Sequence, residues 1–403
     1  MKKFITYNQS QEILESLNIK TTVNQKVFIS DSLNRILAKD IVATENSPAF
    51  KTSAMDGYAI RFDDQTLKTI KIIDKNPAGS VVESEVTKGT CIKTFTGSLM
   101  PKGSDTLIPI ENVTVDGDNI IIDQTVPKNF SVREVGENYA KDEVLIKKGT
   151  KLNFTHIGVM ASLNIVQIDV YSKPIISIAS TGSEILDLGE PQTNDAQIRS
   201  SNHITLEAIA KKYGADVRQM GVVKDDKESI ANLLQDALSI SDIVVTTGGV
   251  SVGDYDYVKD IIKDQLGCDV LFQGVMIKPG QHILFAQKDN KYIIGLPGFA
   301  YSSTVTFLLY VLPLISRFQG DEKYPLEILD AIIEEDFKKK APKATFTACN
   351  IRYENSQYKV NFDGKKNGTS AILTNMLGDC GLLIQDEDSS DLKKGDSVKV
   401  IVL

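Results

Sequence analysis

Between residues 174 and 318, short apolar β-branched runs alternate with amphipathic helical patterns, and this alternation limits what the chain can fold into. Residues 175–179 read as a strand, 203–213 as a helix stopped by Gly214, 216–220 as a strand and 227–238 as a helix. A strand around Ile243, a helix from Tyr257 to the stop at Gly267, a strand at 292–294 and a helix at 303–315 complete the series. Strands separated by helices cannot pair as hairpins. They are expected to form a doubly wound parallel sheet covered on both faces, with ligands at the carboxyl ends of the strands. Three candidate motifs fall at those ends: Ser180-Thr181-Gly182-Ser183-Glu184, Thr247-Gly248-Gly249 and Gly295-Leu296-Pro297-Gly298.

The stretch Thr246-Thr247-Gly248-Gly249-Val250-Ser251-Val252-Gly253-Asp254-Tyr255-Asp256-Tyr257 carries the most chemistry. A strand that ends in Thr-Gly-Gly and passes into a helix presents backbone N–H groups above the sheet. Such a turn holds phosphate or a tetrahedral oxyanion without many cationic side chains. Asp254 and Asp256 are poor partners for bare phosphate, so beside that turn they point to Mg²⁺ or a nucleotide hydroxyl.

The remainder is a multidomain arrangement of α/β plus β character. Residues 8–40 read as helices, with Asn8 and Gln11 as a capping box and Ile13, Leu14 and Leu17 as an apolar stripe. Residues 42–139 are rich in Val, Ile and Thr, with turns at Lys88-Gly89, Lys102-Gly103 and Asp116-Gly117, and read as a β-rich insertion. The expected division is 1–41 with 140–171, then 42–139, 172–319 and a β-rich 320–403 that ends in the alternating Ser397-Val398-Lys399-Val400-Ile401-Val402.

The formal charge of −8 argues against nucleic acid, because no positive field is available to displace counterions. Anionic ligands must then be held by local dipoles and a few lysines. Cys91, Cys268, Cys349 and Cys380 are far apart and form no CxxC pair, so reduced thiols are expected rather than zinc or a disulfide framework. No segment reads as a signal peptide, and the apolar stretch at 305–315 is too short to span a bilayer and contains Pro313. The expectation is a cytoplasmic protein.

Several residues near the motifs have a structural reading beside the functional one. Asp225 reads as a helix N-cap completed by Glu228, or as a site carboxylate. Asn202 reads as the cap of the helix beginning at His203, or as a hydrogen-bonding partner of a nucleotide. Lys278, in Lys278-Pro279-Gly280, closes a strand where an anion calls for a cation. Asp56-Gly57 reads as a hairpin turn, yet Ser53-Ala54-Met55 is a poor strand and a poor surface. His203 and His282 read as structural or incidental.

Taken in order, Pro48-Ala49-Phe50-Lys51-Thr52-Ser53-Ala54-Met55-Asp56-Gly57-Tyr58-Ala59, Thr96-Gly97, residues 180–184, Asn202, residues 248–253 with Asp256, Lys278-Pro279-Gly280, Leu296-Pro297-Gly298 and Gly368-Thr369-Ser370 resemble the molybdopterin molybdenumtransferase family, which includes MoeA and the E domain of gephyrin. The resemblance runs along nearly the whole chain. It implies a helical first domain split around a β-rich second, a MogA-like doubly wound nucleotide-binding third and a small β-barrel fourth. It also implies a homodimer whose cleft is shared, with Asp56 reaching the partner's site. The implied reaction takes adenylylated molybdopterin and molybdate, hydrolyses the phosphoanhydride with Mg²⁺ and releases AMP. Implied catalytic residues are Asp56, Glu184, Asp225, Asp256 and Lys278, with Glu184, Asp225 and Asp256 as metal ligands. Implied ligand-binding residues are Thr96, Gly97, Thr181, Gly182, Asn202, Gly248, Gly249, Ser251, Gly253, Pro279, Gly280, Pro297, Gly298 and Ser370. A molybdopterin adenylyltransferase and recipient molybdoenzymes are the implied partners, with neither nucleic acid nor membrane.

Three positions depart from the family pattern. Gln281 stands where a second lysine is usual, Phe299-Ala300 where Asn-Pro is common, and Asn138 where an aspartate is usual. These keep two alternatives open: a paralogue that carries the pterin without inserting metal, and an insertase selective for tungstate.

Overall fold

The computed structural model describes residues 4–250, 257–321, 323, 325–366 and 370–403. The chain divides into two compact units: Met1–Val27, Asn34–Ala38 and Asp169–Leu403 form one, and Phe28–Leu33 with Lys39–Ile168 the other.

The smaller unit is built on a six-stranded sheet in the order Thr106–Pro109, Gly57–Ile60, Thr90–Thr94, Ile70–Asn76, Asn119–Ile122, Val113–Asp116. Tyr58, Ile60, Ile70, Cys91, Ile108 and Ile120 form its core. The expected turn at Asp116-Gly117 joins the last two strands, with Asp116 opposite Asn119. Asp56-Gly57 is not a hairpin turn. Gly57 opens a strand, and the Asp56 carbonyl accepts from the Ile110 N–H beyond the end of the neighbouring strand.

In the larger unit the first helix is Tyr7–Ser16. The helix expected through residue 40 does not continue: Asn24–Phe28 is a strand, and Ile29–Asp31, in the smaller unit, is a short 3-10 turn. Its capping box is Thr6 with Gln9, two residues before the one expected at Asn8 and Gln11. Leu14 and Leu17 do face the core. The Arg317 guanidinium donates to the carbonyls of Leu14 and Leu17 at the helix end, the first of which also accepts from the Leu17 N–H.

The α/β sheet runs in the order Asp216–Val223, Ile175–Thr181, Ile243–Thr247, Lys291–Leu296, Leu284–Lys288, Asp269–Gln273. The first four strands are parallel; Leu284–Lys288 is antiparallel to both of its neighbours. Every residue of Ile243–Thr247 is buried, as expected of a central strand covered on both faces. Its side chains alternate between layers. Ile243 and Val245 pack toward Leu206, Leu308 and Leu312, whereas Val244 packs toward Ile230, Leu234, Val258 and Ile262. The helix expected at 303–315 is Ala300–Thr306 and Leu312–Phe318 with a π turn, Phe307–Val311, between them. Pro313 has no N–H to give the preceding turn, which accounts for a local widening.

Beyond the sheet, Ile328–Ile333, Ala344–Glu354, Gln357–Asn361, Cys380–Gln385 and Ser397–Val402 each pair with two others and close a five-stranded barrel. Ile333, Cys349, Val360, Leu383 and Val400 fill it. The short strand Ile277–Lys278 adds to the barrel by parallel pairing, Ile277 with Ala344 and Lys278 with Thr345. No helix among the described residues is long and apolar enough to cross a membrane.

Candidate functional site

Strand order reverses between Ile175–Thr181 and Ile243–Thr247: the chain leaves the first of these toward Asp216–Val223 on one side and returns to the other. A crevice opens at the carboxyl ends there, as expected of a doubly wound sheet. It is a cavity of about 650 Å³ lined by Thr181, Gly182, Glu184, Asn202, Asp225, Gly248, Gly249, Pro297 and Gly298 among others. These nine residues come from five separate stretches of the sequence, and the fold brings them to one wall.

The glycines are required by close approach. Gly248 has φ +93°, and a Cβ there would lie 2.6 Å from the Thr181 carbonyl oxygen. Gly249 has φ +67°, and its Cβ would meet Val258 Cγ2 at 2.6 Å. L side chains rarely adopt that backbone, and no space exists for one. The Gly248 N–H donates to the Leu296 carbonyl at 3.0 Å and the Gly182 N–H to that of Val223 at 3.1 Å. Those two amides hold the loops together, so a phosphate would meet the turn from Gly249 onward. Thr181 Oγ1 is buried beside this turn with no hydrogen-bond partner among the described residues.

Along the cavity wall, hydroxyls and one imidazole form a chain. Thr247 Oγ1 lies 3.0 Å from Ser180 Oγ, which lies 3.3 Å from Ser200 Oγ. Ser200 Oγ is 2.7 Å from His203 Nδ1, and His203 Nε2 is 3.1 Å from an Asp187 carboxylate oxygen. His203 thus ties the strand ends to the helix Asn202–Lys212.

Two capping readings are corrected. The N-cap of Lys227–Ile240 is Asp226, whose side chain accepts from the Ser229 N–H at 2.8 Å, not Asp225 with Glu228. Asp225 is left facing the cavity, where its carboxylate accepts from the Ser183 N–H at 3.3 Å. The N-cap position of Asn202–Lys212 is Ser201, and Asn202 is the first helical residue. Asn202 Nδ2 donates to the Gly298 carbonyl at 2.7 Å instead, bridging two of the cavity's loops.

Lys278, Pro279 and Ser370 line a second cavity, with Lys340, Lys365, Lys366, Tyr301 and Asn375. Ala371 lines the first cavity and Ser370 the second, so the two share a wall. Gly280 packs against the following helix, where a Cβ would lie 2.2 Å from Thr306 Cγ2. Lys340, Lys365 and Lys366 are missed by a reading of local sequence. Lys343 is missed as well, although its ammonium donates to Gln281 Oε1. Gln281 Nε2 in turn lies 2.8 Å from Nε2 of His282, which lines the first cavity.

Asp56, Thr96 and Gly97 belong to the smaller unit. Asp56 Oδ1 accepts from Thr96 Oγ1 at 2.7 Å and from the Thr96 N–H at 2.8 Å. The Thr96 hydroxyl, then its backbone amide, hold the Asp56 carboxyl below the usual aspartate range. The Gly97 N–H donates to the Ser53 carbonyl at 2.8 Å. Asn138 Nδ2 lies 3.4 Å from Ser47 Oγ. Ser251, Gly253, Asp254 and Asp256, together with Gly368 and Thr369, lie outside the described residues. Among the described residues no three His, Cys, Asp or Glu side chains are grouped as a metal site.

A family profile described as the MoeA N-terminal region, domains I and II, matches residues 5–164. One described as a probable molybdopterin binding domain matches residues 177–317. The molybdopterin molybdenumtransferase of Staphylococcus aureus strain Mu50 is 32% identical over 404 residues, 95% of this chain and 94% of that protein. The one from Haemophilus influenzae is 29% identical over 400 residues, 98% of each chain. The crystal structure of the molybdopterin biosynthesis MoeA protein from Pyrococcus horikoshii OT3 superposes with a TM-score of 0.84 at 29% identity, covering 100% of both chains. With two successive profile matches and full-length relatives of the same name, the chain belongs to the molybdopterin molybdenumtransferase family.

Proposed function

We propose that this enzyme of molybdenum cofactor biosynthesis takes adenylylated molybdopterin, inserts molybdate into its dithiolene and hydrolyses the phosphoanhydride to release AMP. The observation that carries this reading is the shared wall. A glycine-turn cavity with two carboxylates adjoins a cavity with four lysines, so a phosphoanhydride and an oxyanion would be held side by side. The substrate's two sulfurs ligate molybdenum, so the protein needs no thiolate, in keeping with four buried cysteines.

Each group has a task its surroundings support. The Gly249 end of the turn and the Thr181 hydroxyl would hold phosphate oxygens. Lys278 would hold the oxyanion, with Lys340, Lys365 and Lys366 adding positive field. Glu184 and Asp225 offer hard oxygen donors on one wall, which fits Mg²⁺; the family resemblance implies Asp256 as a third acid. Bound there, the ion would neutralise charge on the phosphoanhydride oxygens. The carboxylates would also orient the attacking water. Water adds to the phosphorus, the bridging P–O bond breaks, and the phosphate of the pterin and AMP separate.

Asp56 completes the reading as a residue supplied to the partner's cleft in a homodimer, as the family resemblance implies. Mixed dimers of Asp56→Asn and Asp256→Asn subunits should regain activity if that is so; mixtures as inactive as either parent would remove the shared site.

The function is tested by single-turnover AMP release from adenylylated molybdopterin with Mg²⁺, comparing molybdate, tungstate and no oxyanion. Release that depends on an oxyanion, and is lost in Glu184→Gln, supports an insertase and reports its metal. Tight binding without release under every condition would replace it by a carrier.

A further inference from the structure

Phe299 lines the glycine-turn cavity in a setting that local structure does not account for. It occupies the N-cap position of Ala300–Thr306, with φ −71° and ψ 129°, and makes no side-chain capping bond. That position favours Ser, Thr, Asn or Asp, whose short polar side chains satisfy the first helical amides. A phenyl ring cannot accept a hydrogen bond from them in that way. Nor does the ring find a core, for Phe299 is 63% exposed. A single exposed apolar residue is ordinary on a protein surface. Here exposure and a forfeited cap coincide in the lining of the glycine-turn cavity.

The backbone beneath the ring is braced. Asn202 Nδ2 holds the Gly298 carbonyl, and the Phe299 carbonyl accepts from the Ser303 N–H at 2.9 Å. The loop also approaches the glycine turn: a Cβ on Gly298 would lie 3.8 Å from Gly248 Cα. A ligand whose phosphate sits on that turn therefore has an aromatic face one residue away. Flat heteroaromatic rings gain from stacking on such a side chain whatever their hydrogen-bonding edge.

We propose that Phe299 is the stacking platform for a planar heteroaromatic ring of the substrate, adenine or pterin. This rests on the reading of the cavity as the site for adenylylated molybdopterin.

The chain contains no tryptophan, so Phe299→Trp introduces a single fluorescent indole in the cavity lining. Titration with AMP and, separately, with molybdopterin should quench its emission in one arm, and that arm identifies the ring. Calorimetry with adenylylated molybdopterin should show Kd about tenfold weaker for Phe299→Ala than for the wild type, with Phe299→Tyr restoring most of the loss. A Phe299→Ala protein that binds as tightly as the wild type would overturn the proposal, as would an indole unquenched at saturation by both ligands. Wild-type protein that binds no adenylylated molybdopterin would overturn the functional reading itself, and the stacking role with it.

Discussion

The Lys343 ammonium donates a hydrogen bond to Gln281 Oε1, so a cation from the barrel stands against the position where the family usually has a lysine. Gln281 by itself reads as a lost positive charge. Its partner restores that charge from the residue just before a barrel strand far along the chain, since Ala344 and Thr345 pair with Ile277 and Lys278. The Gln281 argument for a carrier without insertase activity is thereby weakened. Lys343→Gln should weaken oxyanion-dependent AMP release about tenfold in kcat/KM, equivalent to about 1.4 kcal/mol. Gln281→Lys alone should also lose activity, because two ammonium groups would then meet, and Gln281→Lys with Lys343→Gln should recover it. A double variant no better than either single one would dissolve the pairing.

Asn202 joins the helix after the first glycine loop to the loop that carries Phe299. Its replacement by Ala removes one hydrogen bond, worth about 1 kcal/mol. Gly298 is exposed, so water satisfies its carbonyl and the global stability cost is small. The expected effect is a several-fold rise in KM for the adenylylated substrate, with melting temperature nearly unchanged. An Asn202→Ala enzyme with wild-type KM would mean that the bridge is incidental.

Much of the α/β layer was legible because a strand buried on both faces must be a continuous apolar run, as in Ile243–Thr247. The glycine motifs were legible because close backbone approach admits no other residue. Caps were read less well. Thr6 and Gln9 compete with Asn8 and Gln11, and Asp225 stands beside Asp226; adjacent candidates share one local signal, and tertiary contacts choose between them. Lys343, Lys340, Lys365 and Lys366 left no local signal at all. They reach the site region only through barrel closure and the parallel pairing of Lys278 with Thr345, both long-range events.

Thr96 governs the ionisation of Asp56. The hydroxyl is the larger influence and the backbone amide the smaller, so Thr96→Val should raise the Asp56 pKa partway toward the ordinary aspartate value. A carboxyl depressed in the folded state adds stability above its unfolded pKa and loses it as pH falls through the folded pKa. The variant should therefore be the less stable at neutral pH, and the difference should vanish in the acid range below the usual aspartate pKa. Carboxyl-detected NMR titration reads the shift directly; an Asp56 pKa unchanged in Thr96→Val would contradict it.

Burial pushes the Cys91 and Cys349 thiols up to about 12. Neither is a nucleophile at neutral pH, and native protein should react with a thiol reagent only as it unfolds. A pKa raised on folding gives stability that is complete below the unfolded value and is lost as pH rises through the folded one. Between the ordinary thiol pKa, about 8.5, and about 12 the protein should weaken through these two groups. Cys91→Ala should flatten that alkaline slope while lowering stability at pH 7 through the cavity it leaves. A slope unaltered in the variant would assign alkaline loss to other groups.

Phe299 sets local stability against binding, and one substitution should separate them. Phe299→Asn supplies a capping side chain to Ala300–Thr306, worth about 1 kcal/mol at an N-cap. The third helical amide, Ser302, already donates to the Ser370 carbonyl at 3.2 Å, so the gain should fall on the Tyr301 amide. Hydrogen exchange at Tyr301 should slow by about fivefold, the free-energy equivalent of that cap. The same variant has no ring to stack, so its affinity for adenylylated molybdopterin should fall as far as that of Phe299→Ala. Slower exchange together with weaker binding would show a residue held against the preference of its own helix. Faster exchange, or affinity equal to the wild type, would leave Phe299 as an ordinary exposed side chain.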